Sequence, residues 1–476
     1  MKLYNTLTRQ IDPFVPLQSE NVGVYTCGPT VYDYAHIGHW YNYVRMDTLI
    51  RVLQSNGLSV NWVMNITDVG HLVSDADDGE DKLEKGAKRE GKTAWEIAKF
   101  YTEDFLDGMQ LLNISTPDHI VRATDHITEQ IELIERLQAK GYTYVIDYGV
   151  YFDTSKFEGY TAFAGLDLDE QQTSGRFVTN SQKRNQADFA VWKFSPTDAQ
   201  RDMEWDNPFS THQKGFPGWH IECSAMSMKY LGESFDIHTG GIDHIPVHHT
   251  NEIAQSEAST GKRLANYWFH SNHVTVNGEK ISKSLGNGIR LQEILARGVS
   301  VAAVRLNILE SHYRSQSKFS WDSLEAADNR LQHWRAVAAL VWQPHTQSNA
   351  VGGDTVTTTL SDTAHKIVAA LNDDLNTPLA LSAVDELFSI VEDQRLDQAD
   401  VTPFTAFLSY LTSVLGIDLL ADNGPLSADI QQLLADREHA RAAKDWPKSD
   451  ELRTALQTLG YGLNDTPAGT TLWFRL

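Results

Sequence analysis

Cys27-Gly28-Pro29-Thr30-Val31-Tyr32-Asp33-Tyr34-Ala35-His36-Ile37-Gly38-His39 joins two segments of different texture. Before it, Val22 to Thr26 is a short apolar run with strand character. After it, Met46, Leu49, Ile50 and Leu53 recur at the i, i+3, i+4, i+7 spacing of a helix, and Gly57 supplies a stop. The stretch therefore leads from a strand into a helix N-terminus, whose free N–H groups and positive dipole end suit a phosphate. It carries a soft ligand at Cys27, a tight turn at Gly28-Pro29 and two imidazoles at His36 and His39. Gly38 between them lets a flat ligand lie against the backbone. Taken alone, the two histidines read equally well as surface or capping residues.

Residues 60–66, Val-Asn-Trp-Val-Met-Asn-Ile, read as a second strand that ends at Thr67-Asp68. Strand, helix and strand in quick succession make a βαβ unit, so a parallel sheet is expected. Ligands of such sheets bind at the carboxyl ends of the strands, where both Cys27 and Thr67-Asp68 fall.

A chain of 476 residues exceeds what one core usually supports, so several domains are expected. The hydrophobic share of 41% and charged share of 22% are those of a soluble globular protein. No apolar run of about 18 residues is present, which excludes a membrane-spanning helix. Met1-Lys2-Leu3-Tyr4-Asn5-Thr6 has no apolar signal core, so a cytoplasmic location is expected. The net charge of −23 has the wrong sign for coating nucleic acid by bulk electrostatics, so an RNA partner would need local basic patches. Cys27 and Cys223 are the two cysteines. Without a secretory signal they read as free core residues or thiolate ligands, not as a disulfide.

The acidic cluster Asp75 to Asp81 resembles a calcium loop only superficially. Gly79 comes one place early and Gly86 stands where a closing glutamate is needed, so a solvated loop is expected. Amphipathic helices are expected over 93–112 and 123–140. From about 142 to 212 short strands such as Tyr144 to Phe152 alternate with polar loops, and Gly175-Arg176-Phe177 through Lys183-Arg184-Asn185 is locally basic. This reads as an insertion between two halves of a larger domain. A strand-like Trp268 to Val276 and a loop at 278–287 follow. Helical patterns fill 289–342, Pro344 to Asp362 reads as a linker, and helices resume over 363–395 and 402–416. After Ala421-Asp422-Asn423-Gly424-Pro425 comes a small module whose expected helix carries Arg437, Arg441, Lys444, Lys448 and Arg453, with Trp473-Phe474-Arg475 at its end.

Phe216 to Ser224 contains the second thiol, Cys223, and Asp236 to Glu252 is dense in histidine and carboxylate. His248 and Glu252 are four apart, so on a helix they share a side. Two thiolates, an imidazole and a carboxylate make a plausible zinc set, structural or catalytic, with His238, His244 and His249 as competing ligands. Lys280-Ile281-Ser282-Lys283-Ser284, in a glycine-flanked loop, offers two ammonium groups and two hydroxyls to an anion. Beside residues 36–39 it suggests one nucleotide site, with the histidines on the inner phosphate and the lysines on the outer two.

Together these residues resemble the class I aminoacyl-tRNA synthetases. His36-Ile37-Gly38-His39 matches the family's HIGH motif letter for letter, and Lys280 to Ser284 matches KMSKS with Ile281 in the methionine position. The likeness is more specific to the cysteinyl-tRNA synthetase family. It is carried by Cys27 to Asp33, Gly218-Trp219-His220-Ile221-Glu222-Cys223-Ser224, the Gly240-Gly241-x-Asp243 and His248-His249-x-Asn251-Glu252 patterns, His312-Tyr313-Arg314-Ser315 and Asp465-Thr466-Pro467-x-Gly469-Thr470. It runs nearly end to end. The chain departs from the usual members at Val69-Gly70-His71-Leu72 with the acidic loop behind it, and at Thr250, where a glutamate is common.

The resemblance implies a cysteine–tRNA ligase. The carboxylate of L-cysteine attacks the α-phosphate of ATP, and tRNA(Cys) then takes the acyl group. It implies one zinc ion on Cys27, Cys223, His248 and Glu252, which selects the substrate thiol, and Mg²⁺ with ATP. His36 and His39 fall to the α-phosphate and Lys280 and Lys283 to pyrophosphate. Gly38, Gly240 and Gly241 are expected at the nucleotide, and Gly28, Thr67, Trp219 and Asp243 at the amino acid. The implied fold is α/β. A Rossmann-like parallel-sheet catalytic domain (1–125 and 216–288) carries a connective insertion (126–215). A stem-contact helical region (289–342), a helical bundle (343–420) and a C-terminal anticodon-binding module (426–476) follow. A monomer is expected, and the basic helix and Trp473 are the expected anticodon contacts. Two rivals share parts of this pattern, a cysteine ligase with an amino-sugar acceptor and a zinc-stabilised RNA-binding protein without catalysis. The candidate RNA-binding module argues against the first and the pair of phosphate motifs against the second.

Overall fold

The computed structural model describes residues 1–70, 82–165, 182–196, 201–281, 286–343, 353–394, 396–421, 423–466 and 469–474. Five strands make one parallel sheet: β1 (Asn21–Thr26), β2 (Ser59–Ile66), β3 (His119–Arg122), β4 (Phe235–Gly241) and β5 (Ala265–Ser271). Their spatial order is β5-β4-β1-β2-β3. The chain thus builds outward from β1 in one direction, then returns to add β4 and β5 on its other side. That reversal is the crevice where doubly wound sheets bind ligands. Val22, Val24, Val63, Met64, Ile66, Ile237 and Phe269 are all at most 1% exposed, as strands covered on both faces require. The β1–β2 crossover is helix α1 (Ile37–Ser55), and the backbone turns away after it at Gly57 with φ +81°.

Between β3 and β4 lies the insertion, a four-stranded antiparallel sheet of Thr143–Ile146, Gly149–Phe152, Phe189–Phe194 and Gly215–Pro217. Helix Ile127–Ala139, just inside the boundary at 126, packs instead against α2 (Trp219–Leu231) and α3 (Thr250–Thr260). Its Leu133, Ile134 and Leu137 share a core with Tyr25, Val63 and Phe235.

Three expected elements come out differently. The run 268–276 is two strands, because after β5 the chain turns and Val274–Val276 pairs in parallel with Ser317–Phe319. The latter strand lies inside a span whose pattern reads as helical, and three residues are too few for alternation to show. The linker expected over 344–362 is helical from Gly353: the helices expected over 363–395 are Gly353–Asn372 and Thr377–Gln394, parted where Asp374 and Leu375 take φ +58° and +52°. The basic stretch is also two helices, Ala428–Ala442 and Trp446–Thr458, broken at Lys444 with φ +59°. A hairpin, Tyr461–Thr466 with Gly469–Phe474, closes this last module.

In that module three of the basic side chains expected to meet RNA converge on one carboxylate, while Lys444 and Lys448 stay exposed. Arg437 is 1% exposed and grips both oxygens of Asp465 at 2.7 Å, while Arg441 and Arg453 reach Asp465 Oδ2 at 2.9 Å each. Trp473 donates its indole N–H to Gln332 at 3.0 Å, on helix Trp321–Ala338 of the body. Three of the five basic residues thus neutralise one partly buried carboxylate, and the tryptophan docks the module. The acidic cluster at 75–81, residues 175–181 and Lys283 lie outside the described residues.

Candidate functional site

Cys27 is the first residue after β1, and its N–H donates to Thr239 O on β4 at 3.2 Å, so the thiol stands in the crevice between the two halves. Gly28 follows because nothing larger fits. A Cβ there would lie 1.6 Å from Asn65 O. Asn65 Oδ1 instead accepts the Gly28 N–H at 2.8 Å, and Asn65 Nδ2 donates to Thr67 Oγ1 at 3.0 Å. One buried amide at the end of β2 therefore sets the positions of both loops.

Cys223 lies in the first turns of α2, which starts at Gly218. A Cβ on Gly218 would meet Ala190 O at 2.0 Å, so glycine lets the helix begin against the insertion sheet. His248 lies in the wide turn Ile245–His249 that leads into α3, and Glu252 is one turn further on. Cys27, Cys223, His248 and Glu252 are all buried, with one donor atom from each inside a 4.8 Å span. Cys27 Sγ is 4.0 Å from Cys223 Sγ and 3.9 Å from Glu252 Oε1, and His248 Nε2 is 2.9 Å from the same carboxylate oxygen. A second set, Cys27, His238, His249 and Glu252, satisfies the same span. His238 Nε2 lies 2.8 Å from Glu252 Oε2, and His249 Nε2 lies 3.4 Å from Cys27 Sγ. His244 joins neither set.

Outer partners orient these groups. His220 Nδ1 meets His248 Nδ1 at 2.9 Å. His270 bridges His249 Nδ1 at 2.8 Å and the Thr6 hydroxyl at 2.7 Å. Burial alone would lower the His248 pKa, but Glu252 and Cys223 raise it to about 10. Burial works the other way on Cys223, and its bond to Cys27 with the nearby His248 holds it at about 7. Glu252 stays far below the usual carboxylate range despite burial, because His238 and His248 face it. Burial, the bond to Cys223 and the nearby Glu252 push the Cys27 thiol up, so Glu252 and Cys223 are the donors that the protein itself holds toward the anion.

His36 is the N-cap of α1. Its Nδ1 accepts the Gly38 N–H at 3.1 Å, while His39 Nδ1 accepts the His36 N–H at 3.1 Å. The two histidines therefore form a reciprocal capping box, with ring centroids 3.9 Å apart. With each Nδ1 accepting, each neutral ring carries its proton on Nε2. Capping is the bland role, and here it fixes the tautomer of both rings. Ile281 comes to the same turn, since a Cβ on Gly38 would lie 3.1 Å from its Cδ1. Ile37 N–H donates to Ile289 O at 2.8 Å, which ties the far end of that loop to α1.

A cavity of about 490 Å³ connects the two groups. Cys27, Cys223 and His248 line it together with His36, His39 and Lys280. Gly28, Thr67, Trp219, Gly38, Gly241 and Asp243 also line it. Trp219 covers His248, ring centroids 4.7 Å apart. Asp243 is exposed and pairs with His273 at 3.2 Å. Gly240 packs behind, where a Cβ would meet His244 and His249 at 2.7 Å. Glu252, His238 and His249 lie deeper than the lining. Sequence reasoning gave no role to Asn65, Arg45 or His270, and named His220 only within a motif. These act through hydrogen bonds between distant segments, and only an invariant pattern among relatives could have flagged them.

A family model described as "tRNA synthetases class I (C) catalytic domain" matches residues 13–329. A DALR domain model matches 366–420, and a cysteinyl-tRNA ligase anticodon binding domain model matches 423–471. The chain is 46% identical over 483 residues to "Cysteine--tRNA ligase 1" of Burkholderia lata, covering 99% of this chain and 97% of that one. It is 41% identical over 500 residues to the "Cysteine--tRNA ligase" of Treponema denticola, covering 100% of both. Among solved structures, the methionyl-adenylate-bound methionyl-tRNA synthetase of Mycobacterium tuberculosis superposes with a TM-score of 0.59 at 17% identity, over 83% of this chain and 92% of that one. At that identity the likeness speaks for the fold alone.

Proposed function

Because this chain belongs to the cysteinyl-tRNA synthetase family, we propose that its cavity holds L-cysteine and ATP side by side and makes cysteinyl-adenylate for transfer to tRNA(Cys). The chain is a cysteine–tRNA ligase, which forms a carbon–oxygen ester at the expense of ATP. One observation carries the site reading: three candidate metal donors and both capping histidines line the same cavity.

The donor set fits a zinc ion. Two sulfurs, an imidazole and a carboxylate suit a borderline-soft divalent cation. Cys27, Cys223, His248 and Glu252 are the favoured ligands over the deeper set, because three of them face the cavity while His238 and His249 do not. His220 and His238 then orient His248 and Glu252 from behind. A bound zinc supplies an acceptor for the substrate sulfur as thiolate, which the hard hydroxyl of serine does not match.

The substrate carboxylate is already an anion, so activation needs no general base. The chain must position the reactants and meet the charge at phosphorus. His36 and His39, each protonated on Nε2, donate to the α-phosphate. Lys280 and Lys283 take the leaving pyrophosphate, with Mg²⁺ accompanying ATP. Gly38 and Gly241 leave room at the nucleotide, with Gly240 behind them. Thr67, held by Asn65, and Asp243 receive the polar end of cysteine, while Gly28 and Trp219 wall its thiol. The domain division read from the sequence, a monomeric state and a cytoplasmic location belong to the same proposal. Among the described residues no helix is long and apolar enough to cross a membrane.

Cysteine-dependent ATP–pyrophosphate exchange tests the reading, with serine and chelator as controls. Exchange with cysteine, none with serine, and loss on chelation are expected. No exchange by zinc-replete protein would refute activation, and equal exchange with serine would refute selection by the metal.

A further inference from the structure

Asp374 sits in the turn between helices Gly353–Asn372 and Thr377–Gln394, within the span matched by the DALR domain model, and is 3% exposed. Its Oδ1 accepts from Tyr4 N–H at 2.8 Å and from the Tyr313 hydroxyl at 2.5 Å. Its Oδ2 accepts from Arg314 Nε at 2.6 Å, with His312 Nε2 3.7 Å away. Its own N–H donates to Lys2 O at 3.1 Å. One carboxylate thus ties the N-terminal strand Lys2–Asn5 and the 312–317 loop to the helical bundle. Asp374 and Leu375 both hold positive φ, a disfavoured conformation that persists where the surroundings over-determine it.

The loop that Asp374 grips is the backing of the cavity wall. Tyr313 stacks on Phe269 of β5, with ring centroids 4.3 Å apart. Tyr313 O accepts from Asn272 N–H at 2.8 Å, Arg314 O from Asn272 Nδ2 at 2.7 Å, and His273 O from Ser317 N–H at 2.9 Å. Ser271, Asn272, His273 and Gln316 line the cavity. From the other side, buried Arg45 of α1 donates to Ser271 Oγ at 2.9 Å, Asn272 O at 3.0 Å and Ser317 Oγ at 2.5 Å.

We propose that Asp374 is a positioning residue for the activation step: by ordering the 312–317 loop against β5 it holds Ser271–His273 and Gln316 in the shape that receives the substrates, and it joins that wall to the helical bundle. The inference rests on the reading of the cavity as the site of cysteine activation.

Asp374→Asn keeps the shape and one acceptor but turns an amide N–H₂ toward Arg314. Arg314→Gln removes the other charge from a side chain that is 38% exposed, so folding tolerates it. Asn372→Ala, a control in the same turn, removes only an exposed bond to Asn56. Pyrophosphate exchange without tRNA and full aminoacylation are measured for the zinc-loaded full chain. For exchange, kcat/KM is expected to fall about tenfold in Asp374→Asn and about threefold in Arg314→Gln, with no change in Asn372→Ala. Arg314→Lys, which keeps the charge, is expected to restore most of the loss. Exchange within about twofold of wild type in both charge variants, with any loss confined to the KM for tRNA, overturns the proposal, since Asp374 would then only fasten the bundle. If Asp374→Asn does not fold, Arg314→Gln and Arg314→Lys decide alone. An inactive wild type defeats the activation reading and this inference with it, whereas an active wild type with equally active variants defeats this inference alone.

Discussion

Gly38→Ala is expected to leave the fold intact and to abolish most cysteine activation. A Cβ at that position would lie 2.9 Å from His36 Cε1, 3.0 Å from His36 Nδ1 and 3.1 Å from Ile281 Cδ1. Carbon atoms rest at about 3.5–4.0 Å from one another, so the imidazole must retreat by about 0.6–1 Å. Ile281, next to Lys280, must give as well. The retreat breaks the cap from Gly38 N–H to His36 Nδ1, which costs about 1 kcal/mol. Alanine in place of glycine within a helix returns a similar amount, about 1 kcal/mol. The two offset, and the melting temperature should move by less than about 3 °C. The chemistry has no such compensation. Displacing a transition-state donor by about 1 Å costs about 100-fold in rate, or about 2.7 kcal/mol. Thermal melts followed by circular dichroism, paired with pyrophosphate exchange at saturating ATP, separate the two effects. Exchange within about threefold of wild type in a folded variant would refute the claim that the missing Cβ holds His36 in place. A loss of activity that tracks unfolding would refute the offset.

The two donor sets differ in one experiment. His248→Ala should lower bound zinc, measured by atomic emission, below about 0.2 per chain, while His249→Ala keeps more than about half. The reverse pattern would move the ion to the deeper set. Arg437→Ala leaves the partly buried Asp465 carboxylate with Arg441, Arg453 and the Thr470 hydroxyl as partners. The last module should lose about 2 kcal/mol of local stability by hydrogen exchange, and tRNA charging should fall while cysteine activation persists. Asp47 provides a pH test. Burial would raise its carboxyl, but Arg305 and Arg51 outweigh it and hold the native pKa below the unfolded value. The stabilisation is therefore complete above about pH 4 and is lost as pH falls through the native value. Asp47→Asn should destabilise the protein at pH 7 and flatten the acid limb of its stability curve. An unchanged acid limb would refute that role.

The chemistry of the site was legible because it is concentrated in short words. His36 to His39 sit on one turn, and only two thiols exist to be placed. The central sheet was legible for a similar reason, since β1, α1 and β2 are consecutive and strongly patterned. What sequence could not show is pairing across distance. Asn65 clamps Gly28 and Arg45 clamps Asn272 through bonds that leave no spacing to read. Histidine-rich 236–252 offered several ligand sets, and two of them still fit the geometry. Arg437 and Trp473 misled because charge and aromaticity do not say which way a side chain turns. Asp465 and Gln332, which receive them, come from another strand and another helix. The strand at Ser317–Phe319 is too short to outweigh the helical pattern around it.

The place of β1 in the middle of its sheet has a consequence for synthesis. Thr26 and Thr239, whose hydroxyls meet at 2.9 Å across the β1–β4 join, are 213 residues apart. At about 5–20 residues per second, a ribosome needs about 10–40 s to deliver that second partner. Through that interval β2 can cover one edge of β1, but the other edge, with Val22, Val24 and the Cys27 thiol beside it, stays open. The nascent chain is then at its most adhesive and most easily oxidised. Ribosome pausing placed between codons 66 and 235 should therefore raise the aggregated fraction, and pausing late enough that all of β5 has left the ribosome should not.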